Sequence, residues 1–230
     1  MASARGHKRG VSGFLGNLFR GLFSGDSLGR VESGNRRRGA KPRLLRFEGC
    51  EQRQLLSVTT GWDSTTGTLT ITGDAADNKV SVFGYSSYVD VYVAGRYQAR
   101  FTNANSGNVH TINFNGDAGN DALTVQNIQP SGALTIGATA ADFANVESLS
   151  LLKCQNVTVN TNGGFSFGNS TIAGTLAVNA AGNLTQSGPV VVGGAATLAV
   201  GNANDITLTQ AKNNFYSVAV TTGNNVSLVD

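Results

Sequence analysis

The stretch Asn115-Gly116-Asp117-Ala118-Gly119-Asn120-Asp121-Ala122-Leu123 carries the residues best suited to a chemical task. Oxygens from Asp117, Asn120 and Asp121, with turn carbonyls, are the hard donors that calcium takes, and Gly116 and Gly119 let the backbone fold around an ion. A related turn, Gly73-Asp74-Ala75-Ala76-Asp77-Asn78, stands 43 residues earlier. Asp74 and Asp77 thus lie a full module away, and no tandem copy directly follows to complete an ion site. Without an ion, the same residues are turn formers that bond side chain to backbone.

Catalysis finds little material. After residue 130 the charged residues are Asp142, Glu147, Lys153, Asp205, Lys212 and Asp230. Paired carboxylates for acid–base work need clustering on one face. Asp205 and Lys212 flank one strand, but a turn aspartate and an exposed lysine account for them. His7 and His110 stand apart, so Ser-His-Asp chemistry has no support. Cys50 and Cys154 fall in different regions and read as unpaired thiols. No catalytic or cofactor-binding residue is expected, and the chain reads as a non-enzyme.

The elements that must position these residues divide at about residue 57. The chain has 230 residues, 13% charged and 7% aromatic, with 30 glycines against 3 prolines. Its apolar content of 40% is enough for a core, which excludes wholesale disorder. No apolar run reaches the ~18 residues a membrane helix needs. Through Arg53 there are 12 Lys/Arg against 4 Asp/Glu, and after it 5 against 10. Asparagine splits the same way, with 2 through Ser57 and 21 beyond. Residues 1–57 therefore read as a basic, mostly disordered leader. Within it, Phe14, Leu15, Leu18, Phe19, Leu22 and Phe23 share a helical face, so residues 13–25 are a candidate for membrane-surface contact. The cluster Arg36-Arg37-Arg38 lacks interleaved aromatics, and a nucleic-acid partner is not expected.

Beyond Ser57 the pattern alternates as strands do. Thr68–Val82 matches Thr111–Val125 at an offset of 43, each reading strand, Gly-Asp turn, strand. Tyr85, Tyr88, Tyr92 and Tyr97 lie between the two copies. Residues 58–130 are read as one β-rich module with two such turns. Residues 131–230 are read as β-helix rungs, and from about Leu149 the period shortens. Leu176-Ala177-Val178, Leu198-Ala199-Val200 and Val218-Ala219-Val220 mark one strand position at spacings of 22 and 20. Leu184-Thr185, Ile206-Thr207 and Val226-Ser227 mark a second at the same spacings. Units of about 21 residues with short strands and Asn/Gly turns predict rungs of a parallel β-helix. Asparagines in those turns suit left-handed backbone and inter-rung amide ladders.

Three resemblances add to this reading. Glu48, Glu51, Arg53, Leu55, Leu56 and Ser57 resemble the LEPR-xLL segment of large exported planctomycete proteins, with Cys50 and Gln52 replacing the usual leucine and proline. The turn at Asn115–Leu123 is similar to the calcium-binding nonapeptide of β-roll proteins, which implies calcium at Asp117, Asn120 and Asp121. Gly182–Gly188, Asn204–Thr209, Asn213-Asn214-Phe215 and Val226–Asp230 resemble filamentous-haemagglutinin and autotransporter β-helix repeats.

The fold expected is all-β: a right-handed parallel β-helix over residues 131–230, preceded by the β-rich module and the leader. The resemblances imply an exported protein of the cell surface or beyond, structural or adhesin-like. Its partner would be a surface ligand, a polysaccharide or another cell-surface protein. Two other readings stay open: a polysaccharide-acting β-helix enzyme whose catalytic rungs lie elsewhere, and a calcium-responsive secretion module. The apolar strand Val226–Val229 before Asp230 carries the expectation that more chain, or another chain, covers the last rung.

Overall fold

The computed structural model describes residues 58–230. The helix predicted at 13–25, the basic cluster and the leader segment ending at Ser57 lie outside the described residues.

β1 (Thr59–Asp63) runs antiparallel to β2 (Thr68–Thr72), and β3 (Lys79–Gly84), β4 (Val89–Val93) and β5 (Arg96–Phe101) form an antiparallel ribbon. Fourteen further strands follow: β6 (Thr111–Asn115), β7 (Ala122–Gln126), β8 (Ala133–Ile136), β9 (Phe143–Ala144), β10 (Ser148–Cys154), β11 (Asn156–Thr161) and β12 (Phe165–Phe167). Then come β13 (Ser170–Ile172), β14 (Leu176–Ala180), β15 (Leu184–Gln186), β16 (Val190–Ala199), β17 (Ile206–Leu208), β18 (Asn214–Thr222) and β19 (Val226–Leu228). Every pairing made by these fourteen is parallel. The described chain is an all-β parallel solenoid, as its alternating pattern predicts.

Its organising feature is a set of inward rows. Along β2, β6, β8, β11, β14, β16 and β18, the residues Leu69, Ile112, Ile136, Val159, Val178, Leu198 and Val220 are successive register partners. A second row runs Val80, Leu123, Leu149, Phe167 through β3, β7, β10 and β12. From β13 a third face appears, with Ile172 over Val192 over Phe215. All of these except Val220 are buried, and burying each such side chain contributes ~1.5–3 kcal/mol. Stacked strands lie about 4.8 Å apart, so each turn must return an apolar residue to the same place. The third face opens where β10 shifts register between Leu152 and Cys154, around Lys153 in left-handed backbone (φ 56°).

The first row shows how much chain each turn uses: 43 residues from Leu69 to Ile112, then 24, 23, 19, 20 and 22. The 43-residue repeat is thus itself a stacking period. Thr68–Thr72 pairs with Thr111–Asn115 and Lys79–Phe83 with Ala122–Gln126, at the offset seen in the sequence. The extra chain leaves the stack as β4 and β5, which cover the outer edge of β3, while β1 covers that of β2. The parallel ladder also passes unbroken through residue 130, from β6 and β7 to β8 and β10.

Two sequence expectations are corrected. Leu176-Ala177-Val178 pairs with Ala196-Thr197-Leu198, not with Leu198-Ala199-Val200, and then with Val218-Ala219-Val220. The true spacings are 20 and 22, because a slip of two residues keeps every side chain on its own face and leaves the alternation unchanged. The second strand position, Leu184 over Ile206 over Val226, pairs as read. The asparagines of the late turns also act through their side chains rather than through left-handed backbone. In those turns the positive φ falls on Gly201, whereas left-handed asparagines are Asn127 and Asn145, upstream. Asn179 donates to Asn160 Oδ1 (3.0 Å), and Asn224 and Asn225 donate to Asp205 Oδ1 (3.1 and 3.0 Å). The Asn225 backbone N–H, which also donates to Asp205 Oδ1 (3.0 Å), and these side-chain bonds hold the Asp205 carboxyl below its usual range.

Candidate functional site

The two Gly-Asp turns, 43 residues apart, sit directly on one another. Lys79 and Ser148 both pair with Ala122, so Asn78, Asp121 and Glu147 occupy one position in three successive turns. The Asn78 backbone N–H donates to Asp121 Oδ1 (2.6 Å), and the Asp121 N–H donates to Glu147 Oε2 (2.6 Å). One residue earlier, the Asn120 N–H donates to Asp77 Oδ1 (3.0 Å). The Asn78 side chain ties its own turn, donating to Asp74 Oδ1 (3.1 Å) and to the Ala76 carbonyl. The module-length separation of Asp77 from Asn120 therefore vanishes in space.

Asp121 is only 1% exposed, and its Oδ2 is buried with no hydrogen-bond partner. Burial raises its carboxyl above the usual range against the opposing bond from the Asn78 N–H, and the charges of Glu147 and Asp77 add to the rise. Gly116 makes this packing feasible. A Cβ there would lie 2.3 Å from both Asp121 Oδ2 and the Asn145 carbonyl oxygen. Gly119, at φ 120°, sits under the previous turn, where a Cβ would lie 2.8 Å from the Ala76 carbonyl.

Of the three residues predicted to hold metal, only Asp121 enters the buried column. Asp117 and Asn120 are exposed, and Asp117 adopts left-handed backbone (φ 69°). The neighbours that do approach Asp121 are Asn78, Asp77 and Glu147, two of them supplied by the earlier turn. Among the described residues, no group of three or more His, Cys, Asp and Glu gathers as a metal site.

The second feature is aromatic, and composition alone undersold it. Four of the five tyrosines fall within residues 85–97, on the outer side of the ribbon that the long turn extrudes. Phe83 meets Tyr92 edge to face (5.5 Å between centroids), and Tyr92 meets Tyr97 likewise (5.8 Å). Tyr85 stacks on Tyr88 (4.5 Å), and the Arg100 guanidinium lies 3.8 Å from the Tyr88 ring centre. Arg100 is fixed by a two-point ion pair to buried Asp90, at 2.7 and 2.8 Å. Ser81, Phe83, Tyr85, Tyr92 and Gly95 line a pocket of about 260 Å³. Tyr85 and Tyr97 remain 40% and 57% exposed beside it. The signal available in sequence was this clustering of tyrosine in a chain otherwise poor in aromatics.

The remaining candidates for chemistry are scattered. Cys154 is buried and free, with burial pushing its thiol up to about 11. His110 is exposed beside the Gly67 turn and donates its backbone N–H to Gly67 (2.9 Å). Cys50 and His7 lie outside the described residues. No helix among the described residues is long and apolar enough to cross a membrane.

Residues 154–222 match a family model described as repeats of unknown function (DUF5649). The match runs from the end of β10 to the end of β18, where turns are short and three-faced, so the repeats are solenoid turns. The long first turn, with its carboxylate column and tyrosine face, lies upstream of it. No curated protein and no solved structure matches the chain.

Proposed function

We propose that this chain is an exported, non-enzymatic structural or adhesin-like protein of the cell surface or the extracellular space. The observation that carries the reading is a rigid in-register stack that holds a tyrosine-rich face out to solvent. The leader supports export through its resemblance to the LEPR-xLL segment. Solenoid turns held by continuous ladders space such a face without needing a ligand for folding. Surface protease treatment of intact cells, with and without residues 46–57, tests the reading. It expects full-length protein degraded from outside and the deletion variant protected within. Protection of both would contradict it.

A second reading, calcium at the carboxylate column, is favoured by one observation: the unpartnered, buried Asp121 Oδ2 beside the Asn145 carbonyl. These are hard oxygen donors of the kind calcium takes. An ion there would be held by that oxygen and turn carbonyls, with Glu147 near. Calcium is then expected to raise the melting temperature of the parent and leave Asp121→Asn unmoved. An equal response in both, or in neither, removes it.

A further inference from the structure

We propose that the outer face of β3–β5 is a binding surface for an acidic polysaccharide chain. The inference rests on the surface-protein reading above and names the ligand class. Four features converge on it. First, tyrosine rings reach solvent: Tyr85 and Tyr97 are partly exposed, and edge-to-face contacts through Tyr92 and Phe83 hold the group in place. The C–H faces of pyranose rings carry slight positive charge and seat on the negative faces of aromatic rings, while phenol hydroxyls bond sugar hydroxyls at the rim.

Second, the charge is complementary to an acid. After residue 54 the chain has five basic residues against ten acidic ones, and Lys79 and Arg100 stand on this face, whereas Arg96, the register partner of core-packed Val93, lies on the other. Its one carboxylate, Asp90, is buried and taken by Arg100. Lys79 is exposed and makes no ion pair among the described residues. The face therefore carries an unpaired cation and no unpaired carboxylate on an otherwise acidic body, and a polyanion is drawn here rather than to the rest of the surface.

Third, the pocket is open and smaller than the ~300–1,000 Å³ of cavities that enclose a small molecule, so a chain lying across it fits better than a ligand swallowed by it. Fourth, the platform is pre-ordered. Arg100 is clamped between Asp90 and the Tyr88 ring, which lowers the entropy lost on binding.

The test uses the whole 230-residue chain and titrates polygalacturonate, neutral dextran and duplex DNA at low and moderate salt. Binding to polygalacturonate is expected, weaker with salt, with dextran and DNA well below it. The pair Tyr85→Ala with Tyr97→Ala should lower affinity roughly tenfold, as loss of ring stacking does elsewhere. Lys79→Gln should lower it and flatten the salt dependence, and Arg96→Gln, on the other side of the ribbon, should change it little. Tyr216→Ala, a tyrosine 80% exposed on β18, should change nothing. Unaltered melting temperatures show that each variant is folded. No binding to polygalacturonate, binding unchanged in the tyrosine pair, or equal binding of dextran or DNA would each overturn the proposal. The protease test of surface exposure reads out independently, so the two failures are distinguishable.

Discussion

The long first turn, Thr68 to His110, and the short turns after Cys154 solve one geometric problem with different means. Both return an apolar side chain to the same inward row, Leu69 under Ile112 in one and Val178 under Leu198 in the other. The first spends 43 residues and the second 20 to do it. Surplus chain cannot remain in the stack, whose cross-section the ladder sets, so it leaves through the free edge of β3 as the tyrosine ribbon. The polar columns differ too. Early turns are joined by the carboxyls of Asp77, Asp121 and Glu147, and later ones largely by amides such as Asn160, Asn179 and Asn213. Carboxyls titrate and amides do not. The early end therefore loses strength as pH rises through the raised Asp121 pKa, whereas the late carboxyl Asp205, held below its usual range, loses its contribution only in acid.

The largest effect that separates the two regions is expected at Asn213. Its buried amide exchanges two bonds with Gln186 (2.9 Å each), donates to the Leu208 and Val229 carbonyls (3.1 Å each) and accepts from the Val190 N–H (2.9 Å). Asn213→Ala leaves several buried groups unpaired and should cost about 2–4 kcal/mol. Hydrogen exchange should show the loss in β17–β19 with β2 and β6 unaffected, whereas uniform loosening would erase the distinction between regions.

A smaller effect is expected in the first region from Gly119→Ala. The new Cβ would press on the Ala76 carbonyl and hold an alanine at φ 120°, at about 1–3 kcal/mol. Exchange should rise in β3 and β7 while β16 and β18 keep their protection.

Asp121→Asn sharpens the electrostatic side. Because burial, Glu147 and Asp77 raise the folded-state pKa of Asp121, the folded chain binds its proton more tightly than the unfolded chain does. The stabilisation is full below the unfolded pKa and is lost as pH rises through the folded one. An amide keeps the Oδ1 acceptor for Asn78 and carries no charge. The variant should melt with the parent in acid and above it at neutral pH, a gap that thermal melts across pH would show. A variant less stable than the parent at neutral pH would mean that the ionised carboxylate is held by something favourable, as the calcium reading requires.

How much of this was legible beforehand follows from the physics of each signal. The Gly-Asp repeat was read at its correct register because glycine and aspartate in turns are sparse markers that cannot slide. The sequence pattern aligns Leu176-Ala177-Val178 two residues out, since small apolar residues alternate identically at every even shift. The strand Leu184-Thr185 is placed correctly because a turn asparagine precedes each of its copies. At the site, the sequence points to Asp121 but places Asp77 a full module away, because a 43-residue separation resembles an independent module until the pairing of β3 with β7 is known. The tyrosines were seen as a stretch. Their gathering on one outer face depends on the β4–β5 pairing, which includes a bulge at Gln98 that no alternation pattern displays.

The central claim is that the long turn and the short turns stack on the same ladder. Engineered cysteine pairs measure this directly, in a chain with Cys50→Ser and the buried Cys154 left in place. Thr70 faces Asn113 across 43 residues, and Ala177 faces Thr197 across 20. Neighbouring parallel strands bring such pairs within disulfide reach. Mild oxidation should close both Thr70→Cys with Asn113→Cys and Ala177→Cys with Thr197→Cys, with similar yield. Closure of the second pair alone would contradict the account, because the first turn would then be a separate module and not part of the stack.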